Sequence, residues 1–229
     1  MTKYEVTPEI LEQVWGKGLN KAFIDQTCLT INTYRLNFGL SKRIDLVRFF
    51  AQCYHEIQFI KGKEGRIPRM QENLNFSDKV LVRLSKYWRE NQKELKEVRK
   101  LGKQEAQRII MNKWYNGRMG NRVGTDDGYT YVGHGALMIT GRDNHQRVLQ
   151  AIEQYAGVKV LTDDGEPIHG VFERFDVFWL MGMAYWRLMG GYTCNSTLEC
   201  TNKVNRGLPA KEKQERTQTA VRLNRTLWT

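Results

Sequence analysis

Residues 127–144 read DGYTYVGHGALMITGRDN, and this glycine-rich stretch sets the limits on the fold. It belongs to a longer region, residues 116–141, that holds seven glycines in 26 positions. Glycine at that density disfavours a regular helix, because glycine loses more backbone entropy on folding than any other residue. The region therefore predicts loops and short strands, with a small strand element around residues 129–139.

Helical patterns flank this stretch on both sides. Hydroxyl caps followed by apolar residues at helical spacing predict helix starts at Thr7 and Ser77. Ser41 predicts the cap of a third helix, whose C-terminal end carries Glu56. Residues 89–103 alternate in charge and predict a solvated helix or loop. Apolar spacing predicts further helices over about residues 25–38, 143–155, 172–189 and 209–227.

Length and continuity predict one domain. No internal repeat, low-complexity linker or change of composition divides residues 1–229. A chain of this length can bury a core without disulfide or metal staples. We therefore expect a single, mainly α domain of the α+β type with a small β element.

The charge balance limits the partners. Thirty-six lysines and arginines against 25 aspartates and glutamates give a formal net charge of +11 at pH 7. Such a balance implies an anionic partner, and nucleic acid, a membrane surface and an acidic polymer such as a cell wall all qualify. Charge alone does not choose among them.

The four cysteines are too sparse for a disulfide framework. Cys28 and Cys53 lie in apolar contexts typical of buried thiols, whereas Cys194 and Cys200 could pair. Residues 1–5 lack the apolar core of a signal peptide, and no run of about 18 apolar residues could span a bilayer. We therefore expect synthesis in a cytoplasm.

Two glutamates suggest acid and base chemistry. Glu56 follows His55 at the end of an apolar-periodic segment, and Glu72 comes sixteen positions later in QENLNFS, residues 71–77. Glycoside hydrolysis uses such a pair, because one carboxyl group protonates the leaving oxygen while the other activates water or attacks the sugar. From spacing alone, Glu56 could equally be a surface carboxylate at a helix end, and Glu72 could serve only a helix dipole.

The glycine-rich stretch resembles the core signature of glycoside hydrolase family 19, and its bacteriophage endolysin branch in particular. Four blocks resemble the family and occur in the family's order: residues 49–56, 72–77, 116–144 and 201–207. The resemblance implies a lysozyme-like, chitinase-like helical domain with two lobes, a small β element and a cleft between the lobes. No separate wall-binding domain is expected.

The resemblance also implies a set of site residues. Glu56 falls on the family's general acid and Glu72 on the second glutamate of the endolysins. Thr140 falls where the family uses a hydroxyl to hold the attacking water. Asn144 and Asn205 fall on amides that bind substrate in the cleft.

The residues themselves suit these roles. Packing of Glu56 against Phe50 and Tyr54 at a helix end would desolvate it, which favours a protonated acid. The asparagine-rich surroundings of Glu72 suit a charged base. His55 is expected beside the substrate, as a structural residue that bonds a backbone group.

Tyr131 and its neighbour Tyr129 have two readings. In a sugar cleft their rings would stack on pyranose faces, and Tyr131 is therefore a candidate substrate-binding residue. The same rings could instead only pack the loop, and the sequence leaves both readings open.

Several positions depart from the family's pattern. Ile57 and Gln58 follow the His-Glu pair where small or hydroxyl residues are usual. The segment between the two glutamates is longer than in the endolysins and contains Glu64, an alternative base. The remaining departures are Met138, His134 and Arg206, which replace a glutamine, an arginine and a glycine.

The expected activity is endo-hydrolysis of β-1,4 bonds in bacterial peptidoglycan by an inverting mechanism, as in a phage endolysin. A chitinase acting on N-acetylglucosamine polymers is the second enzyme hypothesis. A non-catalytic module that binds cell wall or nucleic acid is the third. We expect a monomer that is made in the host cytoplasm, acts at the wall after release, does not bind nucleic acid, and could associate with a virion.

A zinc peptidase would recruit His55, Glu56, His134 and His145, since zinc peptidases also degrade cell walls. The sequence has no His-Glu-x-x-His, and these histidines lack regular ligand spacing. No metal and no cofactor are therefore expected.

Overall fold

The computed structural model describes residues 4–228, and these residues are mainly helical, which confirms the predicted fold class. Residues 1–3, on which part of the signal-peptide expectation rests, lie outside the described residues. Among residues 4–228 no helix combines the length and the apolar character needed to cross a membrane. The α-helices of residues 4–228 are α1 (Pro8–Trp15), α2 (Lys21–Tyr34), α3 (Arg43–Glu56), α4 (Asp78–Leu84), α5 (Lys86–Glu90), α6 (Gln92–Val98), α7 (Lys103–Tyr115), α8 (Asp127–Thr130), α9 (Arg142–Ala156), α10 (Phe175–Leu188), α11 (Thr197–Val204) and α12 (Ala210–Thr226).

The strand element lies elsewhere than predicted. Strands β1 (Phe59–Gly62) and β2 (Gly65–Pro68) form an antiparallel hairpin between the two candidate glutamates. Residues 129–139, where strands were expected, begin with the end of α8, and their only β structure is two isolated bridges, which join His134 to Ile139 and to Gln71. Gly135 and Met138 have positive φ angles of 73° and 47°, so this segment turns tightly and cannot extend as a strand.

Side-chain caps explain where several of the helices begin, although α3 starts after Lys42 and not after the predicted cap Ser41. The hydroxyl of Thr7 accepts a hydrogen bond from the Ile10 backbone, and Ser77 caps α4 in the same way through Val80. Helix α2 starts earlier than predicted, because the Asn20 side chain accepts from the Phe23 backbone at 3.1 Å. These caps satisfy N–H groups that the first turn of a helix would otherwise leave unpaired.

Helix α7 was not predicted. It begins after Gly102 and buries one side, on which Ala106, Ile110, Met111 and Trp114 follow helical spacing. The signal was present in the sequence but lies directly after the charge-alternating residues 89–103, part of which forms α6, a helix that exposes lysines but buries Leu95 and Val98.

Two hydrophobic clusters define two lobes. The larger cluster surrounds α10, in which Trp179 and Trp186 are fully buried. The smaller cluster contains Trp88, whose Nε1 donates to the Ile110 carbonyl at 3.2 Å. The buried members of the smaller cluster are Leu74, Leu81, Trp88, Leu95, Val98, Ala106, Ile110, Met111, Trp114 and Val132.

The glycine-rich turn packs directly on α10. The Ala136 backbone N–H donates to the Phe178 carbonyl at 3.0 Å. A Cβ atom added at Gly135 would lie 2.8 Å from the Cβ of Met181, and one added at Gly182 would lie 2.9 Å from the Cβ of Ala136. Glycine at these positions therefore allows a close approach that any larger residue would prevent.

We expect Gly135→Ala to destabilise the fold by about 1–3 kcal/mol, because it combines backbone strain with a clash against Met181. Gly124→Ala is the matched control, since Gly124 has a similar φ of 78° but no atom within 4 Å of the added Cβ. Urea unfolding of both variants checks the prediction. Equal losses of stability would show that the contact with α10 contributes nothing.

Candidate active site

Glu56 is the last residue of α3 and forms an ion pair with α12. The distance from Arg216 Nη2 to Glu56 Oε1 is 2.5 Å, and the two side chains are 4% and 19% exposed. Arg216 Nη1 also donates to Gln52 Oε1 at 3.0 Å, one helical turn before Glu56. One buried guanidinium therefore orients the candidate acid and ties α3 to α12.

This environment differs from the expected one. Phe50 lies within the hydrophobic core, and Tyr54 is exposed beneath the guanidinium of Arg222, 5.2 Å from the ring centroid. The dominant neighbour of Glu56 is the guanidinium of Arg216, which forms an ion pair with it. Sequence reasoning missed this partner, because 160 residues separate the two side chains.

The hydrogen-bond network extends to α11. Gln52 Nε2 donates to Thr201 Oγ1 at 3.0 Å. Asn205, one turn further along the chain than Thr201, ends α11 and is exposed. Its Oδ1 accepts from the Gly207 backbone at 3.2 Å. The candidate amide and the candidate acid are thus carried by helices that a single network holds together.

Glu72 is anchored to the glycine-rich turn by Gly133. The Glu72 backbone N–H donates to the Gly133 carbonyl at 2.8 Å, and the Gly133 N–H donates to Glu72 Oε2 at 3.2 Å. A Cβ atom added at Gly133 would lie 2.9 Å from Oε2. Glycine is therefore needed at residue 133 for the carboxylate to approach the backbone.

Burial raises the pKa of Glu72, while the Gly133 N–H and the Tyr115 hydroxyl act in the opposite direction and lower it. The pKa of Tyr115 is raised, first by burial and then by the charge of Glu72. Glu72 is thus a buried carboxyl group rather than the solvated one that its asparagine-rich sequence suggested. It retains a proton to higher pH than an ordinary glutamate does.

Glu64, the alternative base, lies in a different setting. It is exposed in the turn between β1 and β2. Its backbone carbonyl accepts from Asn20 Nδ2 at 3.5 Å. Glu72, and not Glu64, is therefore the glutamate that hydrogen-bonds to Gly133 of the glycine-rich turn.

Thr140 and Asn144 lie together at the start of α9. Thr140 Oγ1 donates to the Met138 carbonyl at 3.2 Å, and Asn144 Nδ2 donates to the Thr140 carbonyl at 2.9 Å. Both residues are partly buried. The structure therefore brings these two candidates together, at the end of the turn that also anchors Glu72.

Tyr131 packs within the protein. Its side chain is buried, with 2% exposure, and its hydroxyl donates to Glu166 Oε2 at 3.0 Å. Glu166 also accepts from Arg142 Nη2 at 2.6 Å. This geometry favours the packing interpretation, because a buried ring presents no face to a sugar. Tyr129 is partly buried and lines a pocket of about 350 Å³.

His55 contacts α12 through the Thr219 hydroxyl and through a backbone hydrogen bond with Glu215. Its Nε2 lies 2.9 Å from Thr219 Oγ1 on α12. Burial lowers the pKa of His55, and the charge of Arg216 acts in the same direction. A neutral His55 next to Glu56 therefore adds a second link between α3 and α12.

His134 and His145 form a buried pair, with His134 Nδ1 3.1 Å from His145 Nε2. His145 Nδ1 lies 2.9 Å from the Gly141 carbonyl, so it must carry the proton, and Nε2 accepts from His134. Burial lowers the pKa of His134 to about 3 and that of His145 to about 4. Within residues 4–228 no group of three or more histidines, cysteines or acidic residues is arranged to hold a metal ion.

The cysteines of the described chain are free thiols. The thiols of Cys194 and Cys200 donate to the carbonyls of two adjacent glycines. Cys194 Sγ lies 3.7 Å from the Gly190 carbonyl, and Cys200 Sγ lies 3.7 Å from the Gly191 carbonyl. Cys194 and Cys200, whose pairing the sequence left open, form no disulfide in this structure.

The fold and the two anchored glutamates define a mainly α, two-lobed protein with an arrangement suited to acid and base chemistry. No family model matches the chain. A comparison with curated proteins finds a "Glycosyl hydrolase family 19 domain-containing protein" of Haemophilus influenzae, 28% identical over 171 residues that cover 74% of each chain. This similarity supports the resemblance at the level of glycoside hydrolase family 19 and does not extend to the endolysin branch.

We expect Tyr115→Phe to raise the pKa of Glu72 further, because the variant loses a hydroxyl that stabilises the carboxylate. Carboxyl ¹³C NMR titration measures this directly. Tyr87→Phe is the control, since it removes a tyrosine–glutamate hydrogen bond of 2.6 Å, to Glu94, between α5 and α6. An unchanged or lower pKa of Glu72 in Tyr115→Phe would contradict the described environment.

Proposed function

We propose that this protein is an endo-glycosidase that hydrolyses β-1,4 bonds of bacterial peptidoglycan, as an endolysin does. The observation that carries the proposal is the separate support of two carboxyl groups. Arg216 on α12 orients Glu56, and the backbone of Gly133 orients Glu72. Acid and base catalysis needs two such groups, fixed independently on either side of the bond to be broken.

In the proposed inverting mechanism, Glu56 donates a proton to the leaving glycosidic oxygen. Glu72 accepts a proton from a water molecule that attacks the anomeric carbon from the opposite face. The Thr140 hydroxyl holds that water, and the amides of Asn144 and Asn205 bind the sugar. A separation of about 6.5–9.5 Å between the two carboxyl groups would leave room for the water.

The electrostatics of the unliganded protein favour a second division of roles. Burial raises the pKa of Glu72, which is the direction that suits an acid, whereas Glu56 forms an ion pair with Arg216. On this basis Glu72 would be the acid and Glu56 the base. We keep the assignment that the family resemblance implies, with Glu56 as the acid and Glu72 as the base, and substrates that differ in their leaving group distinguish the two assignments.

Glu56→Gln should reduce lysis of purified walls by at least about a hundredfold, because it keeps the shape of the side chain but removes its acid and base chemistry. Turbidity of a peptidoglycan suspension measures the rate, and circular dichroism confirms that the variant is folded. Near-native lysis by the folded variant would remove Glu56 from the mechanism.

Substrates with a strongly acidic phenol as leaving group should distinguish acid from base, because such a phenolate departs without protonation. We expect Glu56→Gln to regain most of its lost rate on an aryl glycoside of this kind, and Glu72→Gln to regain little. The reverse result would exchange the two roles. If both variants lost rate on the aryl glycoside as well as on peptidoglycan, neither glutamate would act only by protonating the leaving group.

The positive surface supports an anionic wall as the substrate, although Arg216 and Arg66 do not contribute to it. Arg216 is buried, and the Arg66 guanidinium donates to the carbonyls of Trp15, Gly16 and Lys17. Exposed basic side chains remain on the hairpin and on α12: Lys61, Lys63, Lys211, Arg222 and Arg225. Bacterial envelopes carry phosphates and carboxylates that these charges would attract.

Raising the salt concentration should therefore slow hydrolysis of whole walls more than hydrolysis of a short neutral oligosaccharide. Exposed charges are screened beyond about 10 Å at 0.1 M salt, whereas chemistry within the site is local. Initial rates on both substrates between 0.05 and 0.5 M salt, roughly half to five times that reference, check this. A parallel loss on both substrates would place the salt effect in the site or the fold.

A chitinase is the alternative enzyme, since the name of the Haemophilus protein specifies the family and no substrate. Comparative turnover of chitin oligomers and peptidoglycan decides between the two. The other parts of the proposal are a single-domain monomer without nucleic acid as partner, synthesis in a host cytoplasm, and action at the wall after release or from a virion.

A further inference from the structure

A polar pocket of about 560 Å³ opens beside Asn144, the candidate sugar-binding amide. All but one of its lining residues come from α9, at spacings that place them on one side of the helix. The lining residues are Met119, Asp143, Asn144, Gln146, Arg147 and Gln150. Neither the family resemblance nor the proposed mechanism uses the part of this pocket beyond Asn144.

Arg147 supplies an uncompensated positive charge to the pocket. It is exposed, and its guanidinium makes no hydrogen bond or ion pair with any of residues 4–228. Arg142, earlier on the same helix, is paired, because its Nη2 lies 2.6 Å from Glu166 Oε1. The charge of Arg142 is therefore used within the protein, whereas the guanidinium of Arg147 is available to a ligand.

Asp143, one helical turn before Arg147, is the only acidic residue of the pocket lining, and within residues 4–228 its carboxylate forms no direct ion pair with Arg147. Its carboxylate lies against Gly120, where an added Cβ would be 1.9 Å from Oδ1. The carboxylate thus lies against the loop before α8.

Arg147 also acts on the region around Glu56. Burial raises the pKa of Tyr185, the nearby charge of Arg147 lowers it, and that of Glu56 raises it. The Tyr185 hydroxyl donates to the Val204 carbonyl at 3.4 Å, next to Asn205. Arg147 and Glu56 therefore both lie close enough to Tyr185 to act on its hydroxyl.

We propose that Arg147 is a specificity-determining residue that binds a carboxylate of the glycan substrate while Asn144 binds the adjoining sugar. The inference rests on the proposed function and deepens it. Peptidoglycan carries carboxylates, on the lactyl group of its muramic acid or on the peptide attached there, and chitin carries none. A guanidinium binds a carboxylate through two parallel hydrogen bonds, so Arg147 would select the anionic polymer over the neutral one.

Binding of three disaccharides tests the proposal, because a disaccharide contains no internal bond for an endo-acting enzyme. The probes are N-acetylglucosaminyl-muramic acid with its free lactyl carboxylate, the same disaccharide with its peptide, and the neutral N-acetylglucosamine dimer. Calorimetric titration compares the wild-type chain with Arg147→Gln. Arg83→Gln is the matched control, since Arg83 is exposed on α4 outside the pocket and its loss changes the net charge equally.

We expect Arg147→Gln to weaken binding of at least one anionic disaccharide by about tenfold or more, the effect of one charged hydrogen-bonded pair. Binding of the neutral dimer and all binding by Arg83→Gln should stay at the wild-type level. A loss only with the free acid identifies the lactyl carboxylate, and a loss only with the peptide form identifies a peptide carboxylate.

Three results would overturn the proposal: wild-type affinity of Arg147→Gln for both anionic probes, an equal loss on the neutral dimer, or no binding of either anionic probe by the wild-type chain. Failure of the proposed function is seen separately, as the absence of new reducing ends when the wild-type chain is incubated with intact peptidoglycan.

Discussion

The buried guanidinium of Arg216 is the constraint on which the site depends. A charge that is only 4% exposed must be paired, because removing one member of a buried ion pair typically costs about 3–5 kcal/mol. Glu56 and Gln52 meet that requirement from α3, and Gln52 passes the restraint to Thr201 on α11. The position of Glu56 is thus set by the C-terminal part of the chain and not by α3 alone.

The position of Glu72 is set by a backbone contact and not by an ion pair. Its carboxylate is held by the backbone of Gly133, and this approach is closed to any residue with a Cβ. Leu74, two residues later, enters the core of the smaller lobe. Glu56 therefore belongs to the larger lobe, while Glu72 lies where the smaller lobe meets the glycine-rich turn. Two carboxyl groups with separate supports can hold different protonation states, which is what acid and base catalysis needs.

Local signals in the sequence were sufficient for much of the fold. Caps such as Thr7 and Ser77 act on neighbouring backbone groups, so their helices begin where the pattern predicted. The partners of Glu56 and the burial of Glu72 and Tyr131 depend on residues far along the chain, and no local pattern encodes them. The strand element was misplaced for a related reason, since glycine content predicts irregular backbone without specifying whether it turns or extends.

The central claim is that Glu56 and Glu72 form the carboxyl pair of an inverting glycosidase acting on peptidoglycan. The most direct measurement is digestion of purified peptidoglycan by the wild-type chain, with new reducing ends identified by mass spectrometry and the first-formed anomer by proton NMR. The account predicts cleavage at a β-1,4 bond with an α-anomeric product. Intact glycan chains, or a product that first appears as the β-anomer, would contradict it.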